Sequence, residues 1–273
     1  MIHLGIFAKT FDGNTPEAVL GAAGRAGYAV VQYNMACSGI GSLPANAPAD
    51  VAKAVRTASA RTGVGLAALS ATYNMIHPDL EKRTSGRASF TALAAQAHTM
   101  GTRLLTVCTG SADPQDQWRH HPDNRSKASW AAMMTEFEHL MAIAERHNLL
   151  LGVEPELANV VDGAAAALKL IADAQSDRIC IILDPANLVE IETPGNRRRI
   201  IAEAVDTLGS RIVMAHAKDR QADGSFAAAG KGVVDFPDFI RSLKSTGFDG
   251  PLITHGLTAD DAPGVAIYLK SLI

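Results

Sequence analysis

Short apolar runs rich in β-branched residues and leucine recur along the chain, and each is followed by an alanine-rich stretch in which apolar positions return every three or four residues. The runs are Ile2 to Phe7, Ala29 to Tyr33, Gly65 to Ser70, Arg103 to Cys108, Leu149 to Glu154, Arg178 to Asp184, Arg211 to His216 and Pro251 to His255. They read as eight strands. Helices are expected near 15–27, 48–62, 85–100, 127–147, 162–175, 195–208, 236–246 and 260–271. The Thr15-Pro16-Glu17 triplet offers a capping hydroxyl, a proline at the first turn and an acid at the positive end of the helix dipole. Asp162 is expected to cap the fifth helix in the same way. Gly27, Gly63, Gly101 and Gly247 fall where helices must stop.

Strand followed by helix, repeated without a compositional break, predicts one domain over residues 1–273. Eight repeats in 273 residues suit an α/β fold of the closed (β/α)8 TIM barrel type, whose usual length is roughly 250 residues. An open dinucleotide-binding sheet fits less well, because no GxGxxG follows the first strand. The longest connection, GSADPQDQWRHHPDNR from Gly110 to Arg125, is too polar and proline-broken for a helix and reads as a loop over the barrel mouth, either a lid or a solvated insertion.

Composition narrows the possible roles. With 47% hydrophobic and 19% charged residues the chain can bury a large core. No apolar run approaches the ~20 residues that span a bilayer, and the start lacks a basic leader with an apolar stretch, so no membrane association and a cytoplasmic location are expected. Cys37, Cys108 and Cys180 are far apart and form no CxxC pair, which predicts buried, inert thiols. A net charge of −3 and 5% aromatic residues argue against a nucleic-acid partner.

In such a barrel the residues at the C-terminal ends of strands face the mouth. Four successive strands end in possible metal ligands: Glu154 with Glu156, Asp184 with Asn187, His216 with Lys218 and Asp219, and His255. A single acid there could cap a helix, but four such groups together are expected to hold a divalent cation through Glu154, Asp184, His216 and His255. Glu154 and Glu156 are two apart, as are His216 and Lys218, so each pair faces one side of an extended chain. Glu156 and Lys218 are therefore candidates for contacts with substrate or metal ligands, or else form a surface ion pair. Asn74 and His77, beyond strand three, could bind substrate hydroxyls, although His77 also suits a turn before Pro78. His120 and His121 read as surface residues, and His98, His139 and His147 as helix residues that are structural or exposed.

At these positions the sequence resembles the xylose-isomerase-like barrel superfamily of sugar isomerases, epimerases, inosose dehydratases and endonuclease-IV-like proteins. The carriers are Gly-Val-Glu154-Pro-Glu, Leu-Asp184-Pro-Ala-Asn187, Ala-His216-Ala-Lys-Asp219, Gly230-Lys-Gly232-Val-Val-Asp235-Phe and Phe248-Asp-Gly250-Pro-Leu-Ile-Thr-His255. The resemblance implies a metal held by Glu154, Asp184 and His216, with manganese as the first expectation and zinc, cobalt, iron or magnesium as alternatives. His255 stands where the family has a glutamate, and Asn187 where many members have a histidine. That pattern implies a one-base isomerisation or a lyase step rather than a symmetric two-glutamate epimerisation. The expected activity is isomerisation of a small sugar or polyhydroxy carbonyl compound through a metal-stabilised enediolate, with Glu154 as base and His255 or Lys218 as proton donor. Glu156 and Asn187, with Asn74 and His77, are the candidate substrate-binding groups. A dehydratase of a keto-polyol is the alternative activity. Phosphodiester cleavage is disfavoured because a histidine-rich multi-metal cluster and a basic surface are not visible. Gly230-Lys231-Gly232 could approach a phosphate, yet an unphosphorylated substrate is favoured. The resemblance also implies a homodimer or homotetramer.

Overall fold

A computed structural model describes residues 2–273. Its strands are β1 (His3–Phe7), β2 (Val30–Tyr33), β3 (Gly65–Ser70), β4 (Leu104–Val107), β5 (Leu150–Val153), β6 (Ile179–Leu183), β7 (Ile212–Arg220), β8 (Phe226–Ala228) and β9 (Pro251–Thr254). The helices are α1 (Pro16–Arg25), α2 (Ala49–Thr62), α3 (Leu80–Ala94), α4 (Ala97–Met100), α5 (Lys127–Arg146), α6 (Ala164–Ala174), α7 (Pro194–Leu208), α8 (Phe236–Ser245) and α9 (Ala262–Lys270). Strands β1 to β6 pair in parallel in sequence order, β7 pairs with β6 and β9, and β9 returns to β1 with His3 opposite Pro251 and Ile6 opposite Thr254. The result is the expected closed eight-stranded parallel barrel. No helix among the described residues is long and apolar enough to cross a membrane.

Period-two alternation divides the strand residues between two environments. Outward residues such as Val31, Leu105, Leu151 and Ile181 pack under the helices in the main core. Inward residues Ala68, Leu104, Cys180, Ile182, Met214 and Ile253 form a separate apolar cluster that fills the lower barrel. Moving two residues up the same strands gives Ser70, Thr106, Asp184, His216 and His255, so one periodicity makes both the apolar floor and the polar layer above it.

Local signals were correct in position but not always in chemistry. Thr15 occupies the N-cap of α1, yet its side chain makes no capping bond. Asp162 does not cap α6: Gly163 takes that place, and Asp162 pairs with Arg125 at 2.9 Å. The third helix begins earlier than the pattern suggested, at Leu80, because Asp79 caps it through the Glu81 amide, and it breaks before Ala97 into α3 and α4. Gly27, Gly63, Gly101 and Gly247 all have positive φ, as helix termination requires. The three cysteines are buried and free.

The largest departure is β7, which runs past His216 to Arg220 and folds back as an antiparallel hairpin with β8, Lys218 opposite Ala228. Asp219 organises this extension. Its carboxylate accepts the backbone N–H groups of Gly230, Gly232 and Val234, at 3.0, 2.9 and 2.9 Å. Gly232 is required there, since a Cβ would lie 2.0 Å from the Arg220 carbonyl oxygen. The glycine loop that could have gripped an external anion thus grips a carboxylate of its own chain.

Candidate active site

The polar layer opens into a cavity of about 870 Å³ at the C-terminal ends of the strands. Glu154, Glu156, Asn187, His216, Lys218 and His255 line it, and Asp184 lies fully buried beneath. The parity argument holds for both pairs: Glu154 and Glu156 face the same cavity, as do His216 and Lys218. The surface ion-pair alternative for Glu156 and Lys218 does not hold, since they are 9% and 6% exposed.

Glu154, Asp184 and His216 each bring a ligand atom within 4.8 Å of the others. Asp184 is fixed by the turn after β6: Oδ1 accepts the Ala186 amide at 2.9 Å, which leaves Oδ2 buried and without a hydrogen-bond partner. Oδ2 lies 3.7 Å from His216 Nδ1 and 3.4 Å from Lys218 Nζ. His216 is held from both sides, with Nδ1 donating to Glu154 Oε1 at 3.1 Å and Nε2 to Gln32 Oε1 at 2.8 Å. Asn187 Nδ2 donates to the same Glu154 oxygen at 2.7 Å, while its Oδ1 accepts from Lys218 Nζ at 2.5 Å. His255 does not join the three-residue group. Its ring stacks on His216 and tilts against Phe7, and its Nδ1 is buried without a partner.

The electrostatics follow from these contacts. Burial opposes charge on Glu154 and Asp184, but His216 beside the first and Lys218 beside the second outweigh it, so both carboxyls lie below their ordinary range. Burial likewise opposes charge on His216, yet the two carboxylates raise it to about 9. Burial and the neighbouring charges of His216 and Lys218 lower His255 to about 4, so it is neutral. Burial pushes Glu156 up to about 7 despite the nearby Lys218.

The orphaned oxygen of Asp184 and the O, O, N donor set of Asp184, Glu154 and His216 fit a divalent cation. The predicted fourth ligand, His255, stays outside that cluster.

Asn74 and His77 do not line the cavity. Asn74 bridges the Ser111 amide and carbonyl, and His77 Nε2 bonds the Pro114 carbonyl, so both anchor the 110–125 loop instead of lining the cavity. That loop does lie over the mouth, where Gln117, Trp118, Arg119 and His120 line the opening. His120 is exposed as expected but also borders the mouth, and His98 bonds the His147 carbonyl on the barrel's exterior.

Sequence reading missed Gln32 and Arg220. Gln32 orients His216 and donates to Ser70 and Thr106 across two neighbouring strands. A lone glutamine inside the apolar run Val30-Val31-Gln32-Tyr33 was the available signal. Arg220 lines the cavity as the third member of the alternating set His216, Lys218, Arg220, a set visible only once β7 is known to continue.

Comparison with known proteins agrees with this architecture. No curated protein matches the sequence. Among solved structures the chain is similar to 3-keto-D-glucoside 4-epimerase from E. coli, with 13% identity, a TM-score of 0.78 and coverage of 99% of this chain and 100% of that one. It is also similar to D-allulose 3-epimerase from Methylomonas sp., with 16% identity, a TM-score of 0.77 and coverage of 100% and 98%. A xylose isomerase domain protein from Planctomyces limnophilus shares 17% identity and a TM-score of 0.74, with coverage of 99% and 95%. At such identities these likenesses concern the fold. The sequence itself matches the family description over residues 20–272, and the chain therefore belongs to the xylose isomerase-like TIM barrel family.

Proposed function

We propose that this protein is a divalent-metal-dependent isomerase or epimerase of a small sugar or polyhydroxy carbonyl compound. The observation that carries the reading is the Glu154–Asp184–His216 cluster, with its buried and unpartnered Asp184 oxygen, at the base of a cavity large enough for a sugar. The solved structures named above as sugar epimerases support the substrate class. A cation held by those three residues would supply polarisation of a carbonyl and its neighbouring hydroxyl.

The chain's own groups divide the proton work. Glu154 has Oε1 occupied by His216 and Asn187, so Oε2 is the atom that takes the carbon-bound proton. Glu156, poised near neutrality two residues along the same strand end, holds the proton that is returned. His255 is neutral and acts as an acceptor rather than the acid the sequence suggested, while Lys218 and Asn187 orient substrate oxygens.

The test is solvent exchange. Incubated in D2O with Mn2+ and a panel of keto-sugars, wild type should place deuterium at the carbon next to the carbonyl in one substrate, and Glu154→Gln should reduce the rate at least a thousandfold. Undiminished exchange in Glu154→Gln would exclude it as base. Loss of water from the substrate would assign the site to the dehydratase class instead.

A further inference from the structure

Lys218 stands in an unusual place for a metal centre. Its ammonium is 3.4 Å from Asp184 Oδ2, a fully buried cluster oxygen without a hydrogen bond, 2.5 Å from Asn187 Oδ1, and 4.0 Å from the centre of the Phe226 ring. Side chain and carboxylate are both buried, so water screens their attraction little. The two carboxylates of the cluster, Glu154 and Asp184, already face two basic groups, His216 and Lys218. A divalent ion approaching Asp184 therefore meets a carboxylate whose charge is in use.

We propose that Lys218 is a built-in counter-cation that competes with the divalent metal for Asp184, so that metal binds only as the ammonium moves off that carboxylate. The inference rests on the metal reading given above and adds to it the residue that sets affinity. The lysine need not leave the cavity. Asn187 Oδ1 and the face of Phe226 are its other two contacts, and both remain when Asp184 is given up. Phe226 is half exposed at the cavity rim on the β8 hairpin, so the stem can shift without disturbing the barrel core. The metal-bound protein would then carry its ammonium beside Asn187, where a substrate oxygen can meet it, whereas in the metal-free protein the same charge prevents two buried carboxylates from standing uncompensated.

The measurement is Mn2+ affinity of the chelator-treated full chain, by calorimetry and by the loss of the free-ion paramagnetic resonance signal, for wild type, Lys218→Met and Lys218→Gln. Methionine keeps the stem without charge, and glutamine keeps a donor for Asn187. Circular dichroism and thermal melts establish that at least one variant is folded before titration. The expected result is Mn2+ binding at least tenfold tighter in a folded variant than in wild type, with no binding in Asp184→Asn. Equal or weaker binding in the folded variants, with wild type binding Mn2+, would overturn the competition while leaving the metal reading intact. Absence of binding in wild type and in both variants would overturn the metal reading and this inference together.

Discussion

The imidazole rings of His216, on β7, and His255, one residue past the end of the adjacent β9, lie parallel, 6° between planes and 5.6 Å between centres. Two positive rings in that arrangement would repel, and only His216 has carboxylates within reach. One ring is therefore charged and the other neutral at the same pH. In the metal-free protein, nitrogen-detected NMR should show His216 titrating near 9 and His255 near 4. Glu154→Gln should lower both, His216 for loss of its partner and His255 because the carboxylate that favours its charge is gone while His216 is still positive at the pH where His255 titrates. Unchanged values in that variant would mean that the carboxylate does not organise the pair.

Glu156 predicts a pH dependence of stability. Its folded value is about 7 against 4.5 ordinarily, so the native state holds a proton that the unfolded chain has released. A raised value gives stability that is fully present below pH 4.5 and lost as pH rises through 7. Glu156→Gln, which cannot ionise, should melt like wild type near pH 4.5 and be more stable at pH 8, by on the order of 2–3 kcal/mol. Parallel stability curves for the two proteins from pH 4.5 to 8 would show that burial does not tax this carboxyl.

Breaking the Asp184–Lys218 contact from the acid side should be costly. Asp184→Asn leaves a buried ammonium unpaired, and a loss of about 3–5 kcal/mol in chemical denaturation is expected. Adding Lys218→Met should recover much of that loss. A double variant as unstable as the sum of the single ones would mean that the two side chains do not act as a pair.

At the tip of β7 the expectation concerns backbone order. Asp219→Ala leaves the amides of Gly230, Gly232 and Val234 without their acceptor, for a cost on the order of 3 kcal/mol. Limited proteolysis should then cut the segment between Ala228 and Val234, which should resist cleavage in wild type. Resistance in the variant would place the hairpin's order elsewhere, in the β7–β8 ladder itself.

The barrel was legible because its signals are periodic. Eight apolar runs with helical stretches between them recover every barrel strand, and two-residue parity puts Glu154 with Glu156 and His216 with Lys218 without knowledge of the fold. What escaped depends on contacts distant in sequence. The continuation of β7 exists because Asp219 gathers a loop eleven to fifteen residues away, which no local pattern encodes. Asn74 and His77 looked like ligand-binding groups because they are polar residues just past a strand end, yet the 110–125 loop needs anchors and takes them. His255 carries the right atoms for a metal but turns its ring to stack on His216, an orientation that spacing alone does not contain.

The apolar plug of Ala68, Leu104, Cys180, Ile182, Met214 and Ile253 makes the barrel a vessel with one opening. Reactant and product must use the same mouth, which Trp118 and Phe226 help to line, in turn, so neither can be drawn through the molecule. For a reversible rearrangement whose two sides have equal mass and similar shape, each side then obstructs the other's passage. Accumulated product should slow the forward reaction by occupancy, and net flux should follow the concentration ratio outside the protein rather than any directionality built into its walls.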